Sequence, residues 1–314
     1  LGNTYHLFVR PGHELIERVG GGLHGFMNWE NSLLTDSGGY QIYSLSDLNK
    51  VTPDGVFFKN HLDGSTAFIG PEKSMEIQAA LGSDIVMAFD ECPALPSTPE
   101  KLRASVELTL AWAQRCKNYQ LKSHQQLFGI VQGGLDLELR LECLQRLEEM
   151  NFHGLAIGGL SVGEKNNEML SLLDQFVQKM PPEKARYLMG VGTPVDILNA
   201  VREGVDMFDC VLPTRNARNG QFITKFGPLS IKKECYKEDK LPPDPSCECK
   251  VCSRYSRAYI RHLFNVGEYL GGQMISYHNI YFYLKMMRDA RNAILADEFE
   301  QFYKIFVANY QNAE

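Results

Sequence analysis

The residues best suited to chemistry lie in two places. One is the stretch 205–220, VDMFDCVLPTRNARNG. Val205, Met207 and Phe208 read as the end of a buried strand, Asp209 closes it, and Pro213 forbids further ladder pairing. A carboxylate at the C-terminal end of a buried strand is costly unless it is used. Arg215 and Arg218 follow on what reads as one short loop. A structural ion-pair network would explain these three charges. So would a nucleophilic carboxylate beside two cations that grip a polyanion. The second place is Cys247-x-Cys249-x2-Cys252, with His278 after another twenty-five residues. Three thiolates and one imidazole fill a tetrahedral zinc site and leave no position for water, so one structural zinc is expected. Cys92, Cys116, Cys143, Cys210 and Cys235 read as buried small hydrophobes.

Such groups need a scaffold that brings strand ends to one rim. Short apolar runs alternate with helical patterns. Strands are expected to end near Asn3 and then to run over 32–35, 84–89, 127–131, 155–157, 187–190 and 205–208. Helices are expected over 71–81, 99–119, 135–150, 167–179 and 194–203. The last has Thr193 as N-cap, Pro194 at its first position and Gly204 just past its end. Alternation of this kind implies parallel strands. Seven are visible, and an eighth upstream of Leu1 would close a (β/α)8 TIM barrel. Because Leu1 is not Met and the first residues read as a strand end, that first strand is expected to be missing upstream. An open doubly wound sheet is the alternative, but no G-x-G-x-x-G follows a first strand.

In a barrel the functional residues sit at the C-terminal strand ends. Asp36, Asp90, Gln132, Gly158-Gly159, Gly190 and Asp209 each follow an apolar run. The glycines beside most of them let a ligand approach the backbone. Gln132 can donate and accept, Asp90 can accept from two N–H groups, and the Gly159–Leu160 peptide offers both functions. That set could read a purine edge with a carbonyl and an amine side by side. Tyr40 and Met189 could clamp a flat ring from its two faces.

After Gly220 the pattern changes. Residues 222–231 read as a hairpin turning at 226–228, followed by a Pro-rich connector over 237–246. A helix over 253–270 would place Arg254, Arg257 and Arg261 on one face, where acids are few and phosphates are the expected partners. His278 is expected to open a further helix, and 297–310 to form a last amphipathic one. The expected division is a catalytic barrel region over 1–221 and a zinc-binding subdomain with C-terminal helices packed on the barrel over 222–314.

Composition fits this scheme. The 314 residues, 44% hydrophobic, suffice for one large domain or two ordinary ones. No apolar run of membrane-spanning length occurs, and no signal peptide opens the chain. Scattered cysteines suit a reducing cytosol. A net charge of −6 alone argues against a nucleic-acid partner. Residues 215–262, however, hold eleven Lys/Arg against five Asp/Glu, a basic third on an acidic body that could face a polyanion.

Taken together, these segments resemble the bacterial tRNA-guanine transglycosylases. The resemblance rests on GNTYHL (2–7), TDSGGYQ (35–41), HLDGS (61–65), GSDIVMAFDEC (82–92), GGLSVGE (158–164), YLMGVG (187–192), MFDCVLPTR (207–215) and the Cys3His set. It implies a cytoplasmic enzyme that exchanges guanine at the wobble position of GUN-anticodon tRNAs (Asp, Asn, His, Tyr) for preQ1, in queuosine biosynthesis. By resemblance Asp209 is the nucleophile and Asp36 the general acid/base, supported by Asn3. Asp90, Gln132 and Gly159 read the base, with Ser37 in the same pocket. Leu160, backed by Glu164, meets the aminomethyl group. Tyr40 and Met189 stack on the ring, and Arg215 and Arg218 contact the anticodon loop. Cys92 and Val162 suit the small base preQ1 rather than queuine. The resemblance also implies a homodimer. The rivals are a non-catalytic tRNA-binding subunit, a queuine- or archaeosine-type transglycosylase, and a retaining glycosidase. The first would be expected to lack the two aspartates, and the last would need neither zinc nor a basic face.

Overall fold

The structure, a computed structural model, describes residues 1–40 and 50–311. Gln41, the last residue of the TDSGGYQ segment, lies outside the described residues, as do residues 312–314. The chain opens with three short helices, α1 (Thr4–Val9), α2 (His13–Gly20) and α3 (Leu23–Met27). It continues through β1 (Leu34–Thr35), β2 (Lys50–Thr52), β3 (Gly55–Lys59), β4 (Thr66–Ile69), α4 (Pro71–Leu81), β5 (Ile85–Met87), α5 (Pro99–Lys117) and β6 (Gln126–Val131). Next come α6 (Leu137–Glu149), β7 (Gly154–Ile157), α7 (Asn166–Phe176), β8 (Ala185–Leu188), α8 (Pro194–Glu203) and β9 (Met207–Phe208). The remainder holds α9 (Leu212–Arg218), β10 (Gln221–Thr224), β11 (Gly227–Ser230), α10 (Arg257–Asn265), α11 (Tyr269–Leu295) and α12 (Phe299–Gln311). Two compact units result. One comprises Leu1–Met189 with Glu203–Asp209, the other Gly190–Arg202 with Cys210–Glu314.

The first unit is built on a six-stranded parallel sheet in the order β1-β5-β6-β7-β8-β9. A parallel bridge from Gly2 to Thr35 adds the seventh rung expected near Asn3. The sheet curls. Laid flat, its outer strands would stand roughly 24 Å apart at about 4.8 Å per step. Yet the charge of Asp209, just past β9, acts on Asp36, just past β1. Met87, Phe128, Ile130, Ala156 and Tyr187 form a buried cluster contributed by four successive strands. Helices α4, α5 and α8 start at the expected residues, whereas α6 starts at Leu137, two residues later than expected, and α7 at Asn166, one earlier. Thr98 caps α5 by accepting from Lys101 N (3.3 Å), and Asp136 caps α6 by accepting from Leu139 N (3.0 Å).

One element was not foreseen. Strands β2, β3 and β4 form a separate antiparallel sheet between β1 and β5. Val56, Phe58 and Ile69 point inward while Phe57 and Phe68 remain outside, ring against ring at 4.7 Å. The alternation spans only a few residues per strand and is interrupted by Gly55, Asp63 and Gly64, so the period-2 signal is weak.

The second unit corrects several boundaries. The hairpin turns at residues 225–226, because Thr224 pairs with Gly227. Helix α10 begins at Arg257, where the Ser256 side chain accepts from Tyr259 N (3.2 Å). Arg254 therefore precedes the helix, and the single face expected for Arg254, Arg257 and Arg261 does not form. His278 lies inside the long helix α11 rather than at its start. Arg215 and Arg218 sit on helix α9, not on a loop, with Pro213 in its first turn. The core joins Ala217, Phe222 and Ile231 to Ile260, Leu263 and Ile275. Cys235 is exposed and Cys210 half-buried, unlike Cys92, Cys116 and Cys143. Among the described residues no helix is long and apolar enough to cross a membrane.

Candidate active site and metal centre

Asp36 is fixed from several directions. The residue before it, Thr35, is fully buried and anchored through its hydroxyl to Gln78 Oε1 (2.9 Å) and Ser83 Oγ (2.6 Å). Asp36 itself is only 6% exposed. Its Oδ1 accepts from Thr4 N (2.9 Å) and Gly38 N (3.1 Å), and its Oδ2 accepts from Asn3 Nδ2 (2.8 Å). Asn3 is the N-cap of α1, and its Oδ1 accepts from His6 N (2.9 Å). That cap turns the amide N–H toward the carboxylate. Burial pushes the Asp36 carboxyl up to about 7. The Thr4 and Gly38 N–H groups oppose the rise, and the charges of Asp209 and Asp90 add to it. Both acceptor sites of Oδ1 are taken, so Oδ2 keeps the position where a proton can sit.

Asp209 follows β9 and is half-buried. Its Oδ1 accepts from the Tyr187 hydroxyl at 2.6 Å. Tyr187 stands in β8 and is 1% exposed. Burial first, then the charge of Asp209, raises its phenol and keeps it a donor. Sequence reasoning used Tyr187 only as a strand residue. The available signal was its position two residues before Met189 on a strand whose neighbours end in functional groups.

Asp90 and Gln132 face each other at the ends of adjacent strands. Asp90 Oδ1 accepts from Ser37 Oγ (3.1 Å) and Oδ2 from Gln132 Nε2 (2.7 Å). Burial pushes Asp90 up to about 6 against these two donors. Gln132 Oε1 is buried and has no hydrogen-bond partner among the described residues, which leaves it an acceptor for a donor from elsewhere. Gly159 has φ +64°, a conformation that favours glycine, and a Cβ there would lie 2.3 Å from Gln132 Oε1 and displace that amide. Leu160 is buried. Glu164 closes the next turn by accepting from Ser161 N and from Val162 N (3.0 Å). Cys92 is buried, and its thiol is pushed up to about 12, by burial before the Asp90 and Glu91 charges. Met189 is half-buried against the cluster around Tyr187, and Tyr40 is exposed. Hydrogen bonds thus join Asn3 to Asp36, and Ser37 and Gln132 to Asp90; the two sets meet where Ser37 follows Asp36 in the chain, and Gly159 adjoins Gln132.

The second unit holds the Cys3His group. The ligand atoms of Cys247, Cys249, Cys252 and His278 all lie within 4.8 Å of one another. His278 Nδ1 is 3.2 Å from Cys252 Sγ and 3.5 Å from Cys249 Sγ. A tetrahedral zinc would separate sulfur from nitrogen by about 3.6 Å. His278 Nε2 faces the Ile223 carbonyl at 3.0 Å, which leaves Nδ1 to act as ligand. The donor set therefore fits one tetrahedral metal ion. Next to His278, the buried Asn279 accepts from Ile223 N (2.9 Å) and donates to Pro213 O (2.9 Å) and Gln221 O (3.0 Å). It ties the hairpin and the start of α9 to the helix that carries His278.

Comparison with known proteins then decides the family. A family profile described as Queuine tRNA-ribosyltransferase matches residues 1–312. Three curated proteins named Queuine tRNA-ribosyltransferase are similar at every stage of the chain. That of Fusobacterium nucleatum is 56% identical over 99% of this chain and 84% of its own length. That of Caldanaerobacter subterraneus is 52% identical over 99% and 83%. That of Halothermothrix orenii is 51% identical over 99% and 83%. The chain belongs to the queuine tRNA-ribosyltransferase family. The cations of this queuine tRNA-ribosyltransferase family member are unequally engaged. Arg215 and Arg218 are exposed on one side of α9, and Arg254 is also exposed. Arg257 pairs with Asp239 (3.0 Å), and Arg261 pairs with Glu234. Those two acids were not assigned to the arginines in the sequence reading.

Proposed function

We propose that the chain is a tRNA-guanine transglycosylase that exchanges guanine at the wobble position of GUN-anticodon tRNAs for preQ1. The reaction is a double displacement through a covalent Asp209–ribose intermediate. One observation carries this reading. Two carboxylates stand just past the outer strands of one curled sheet, and Asp36 is buried, 6% exposed, with its carboxyl raised by that burial, which suits a proton carrier.

Swapping one base for another with retention at C1′ requires two displacements. A carboxylate oxygen of Asp209 bonds to C1′ as the C1′–base bond breaks, and Asp36 gives its proton to the departing guanine. The developing oxocarbenium charge lies beside the Asp209 carboxylate. After guanine leaves, preQ1 gives its ring N–H proton to Asp36 and attacks C1′, and the bond to Asp209 breaks. Tyr187 holds Asp209 in place throughout. Asp90, Gln132 and the Gly159 N–H align the base, with Ser37 supporting Asp90. Leu160 and Glu164 shape the turn that meets the aminomethyl group. Cys92, which is buried, and Val162 favour a small base over queuine. Tyr40 and Met189 stack on the ring.

Arg215, Arg218 and Arg254 are the first candidates for phosphate contacts, and Arg257 and Arg261 for secondary ones, since each already carries an ion pair. Zinc is the metal that best suits three thiolates and an imidazole. It would hold the 222–314 module together and takes no part in the chemistry. The protein is proposed to work in the cytoplasm as a homodimer. The test is base exchange with labelled guanine, preQ1 and queuine on a GUN-anticodon tRNA. Incorporation of preQ1, and a denaturation-stable tRNA–protein adduct that Asp209→Ala abolishes, are expected. An adduct that persists in Asp209→Ala would remove Asp209 as nucleophile.

A further inference from the structure

Arg140, on α6, has no exposed surface. Its Nε donates to Gly134 O (2.7 Å), its Nη1 to Val131 O (3.2 Å) and its Nη2 to Gly158 O (2.9 Å). Among the described residues it makes no ion pair with a carboxylate. Burial lowers its guanidinium to about 10, which leaves it charged at neutral pH. A buried cation without a carboxylate partner is expensive, and an apolar side chain of similar volume would pack the same space more cheaply. Its three acceptors indicate what the charge is for.

All three carbonyls lie at or just past the ends of β6 and β7, beside the base-reading groups. Val131 O and Gly134 O bracket Gln132. Gly158 O is the oxygen of the peptide whose nitrogen is that of Gly159. Gly133, at φ +142°, gives the guanidinium stem its passage, because a Cβ there would lie 2.8 Å from Arg140 Cγ. In a trans peptide the N–H points opposite to the C=O. The Gly159 N–H therefore points away from Arg140. A carbonyl that accepts from a cation draws electron density through the amide and makes its N–H a stronger donor.

We propose that Arg140 is a positioning residue that fixes the Gly158–Gly159 peptide and strengthens the Gly159 N–H as a donor to the 6-oxygen of the purine substrate. This rests on the reading of Gly159 as a base-edge residue. Arg140 thereby contributes to selection of 6-oxopurines without touching them.

The experiment uses the full chain with Arg140→Met, which removes the charge, and Arg140→Lys, which keeps it but cannot reach all three carbonyls. Each is measured for binding of guanine and of 2-aminopurine, which lacks the 6-oxygen. Melting temperature and metal content are recorded alongside. Arg140→Met should weaken guanine by about tenfold, the size of one hydrogen bond, and change 2-aminopurine by less than about twofold. Arg140→Lys should recover part of the loss. An equal loss for both bases, or no loss, would overturn the proposal and leave Arg140 a packing residue. So would failure of both variants to fold. If the wild-type protein does not distinguish the two bases, the reading of Gly159 itself falls, and the role of Arg140 with it.

Discussion

Replacing Asp36 with Asn removes one titrating carboxyl from a buried position and leaves its shape nearly intact. Asp36 is held near 7, against 3.8 for an ordinary aspartate. At about 1.4 kcal/mol per unit, ionising it costs about 4 kcal/mol more in the folded protein than in the unfolded chain. The folded protein keeps this proton over a pH range in which the unfolded chain has already lost it. Stability from this group is therefore fully present below the ordinary carboxyl range, falls as pH rises, and levels off above about 7. Asp36→Asn has no such titration. Between about pH 5 and pH 8.5 the stability difference should thus move in favour of the variant by about 3 kcal/mol. A constant offset opposes it, because the new amide would face the Asn3 Nδ2 donor across the 2.8 Å contact. Donor against donor costs about 1–2 kcal/mol at every pH. Urea unfolding followed by circular dichroism at several pH values measures the shift, provided the slopes of the two proteins agree. Base exchange should be lost in the same variant. Parallel stability curves across this pH range would mean that Asp36 ionises like a surface aspartate, and its assignment as proton carrier would fail.

The same titration should divide the two half-reactions. Adduct formation, which needs protonated Asp36, should fall as pH rises through about 7, whereas adduct breakdown by incoming base, which needs ionised Asp36, should fall with decreasing pH and only at lower values, because the Asp209 charge that raises Asp36 is gone in the adduct; rapid-quench measurements that show one common profile would contradict this. Tyr187→Phe removes the 2.6 Å bond to Asp209 and should slow adduct formation by about tenfold while leaving guanine affinity unchanged, and an altered affinity with normal kcat would refute the positioning role. Metal analysis should give about one zinc per chain, and Cys252→Ser should lower it and expose the hairpin and α11 to protease; retained metal and protection would exclude Cys252 as a ligand.

The parallel scaffold and its rim were legible because both rest on local signals. Asp36, Asp90, Gln132 and Asp209 each end an apolar run, and Thr193 marks a helix start with cap chemistry. The Cys3His set was legible because its spacing alone brings the sulfurs together. What failed was non-local or lay at element boundaries. Arg257 and Arg261 looked like free cations because Asp239 and Glu234 are distant in sequence but adjacent in space. Arg140 looked like one more polar helix residue. Its burial becomes visible only when α6 is laid on the ends of β6 and β7. Tyr187 was hidden for a related reason, since an inward strand position predicts core packing and says nothing about a carboxylate from the next strand. The three short strands between β1 and α4 carried too few alternations to declare themselves.

Three carboxylates share this rim, and their differences come from neighbours rather than residue type. Asp90 has two side-chain donors and a pKa near 6, which suits a group that reads a base. Asp36 has backbone and amide donors and sits near 7, partly because of the charge on Asp209. That last coupling matters for the proposed chemistry. When Asp209 bonds to C1′ its charge disappears, and with it one cause of the high Asp36 pKa. Asp36 becomes a stronger acid at the moment it must release its proton to guanine. Its new negative charge then occupies a rim that Asp209 has vacated, so the sum of carboxylate charge stays constant through the step. When Asp36 takes the proton of the incoming base it becomes neutral, which removes the like charge that would oppose Asp209 leaving C1′ as a carboxylate. Two like charges placed close together would be a liability in a static structure. Here their mutual repulsion links bond making at one acid to proton release at the other.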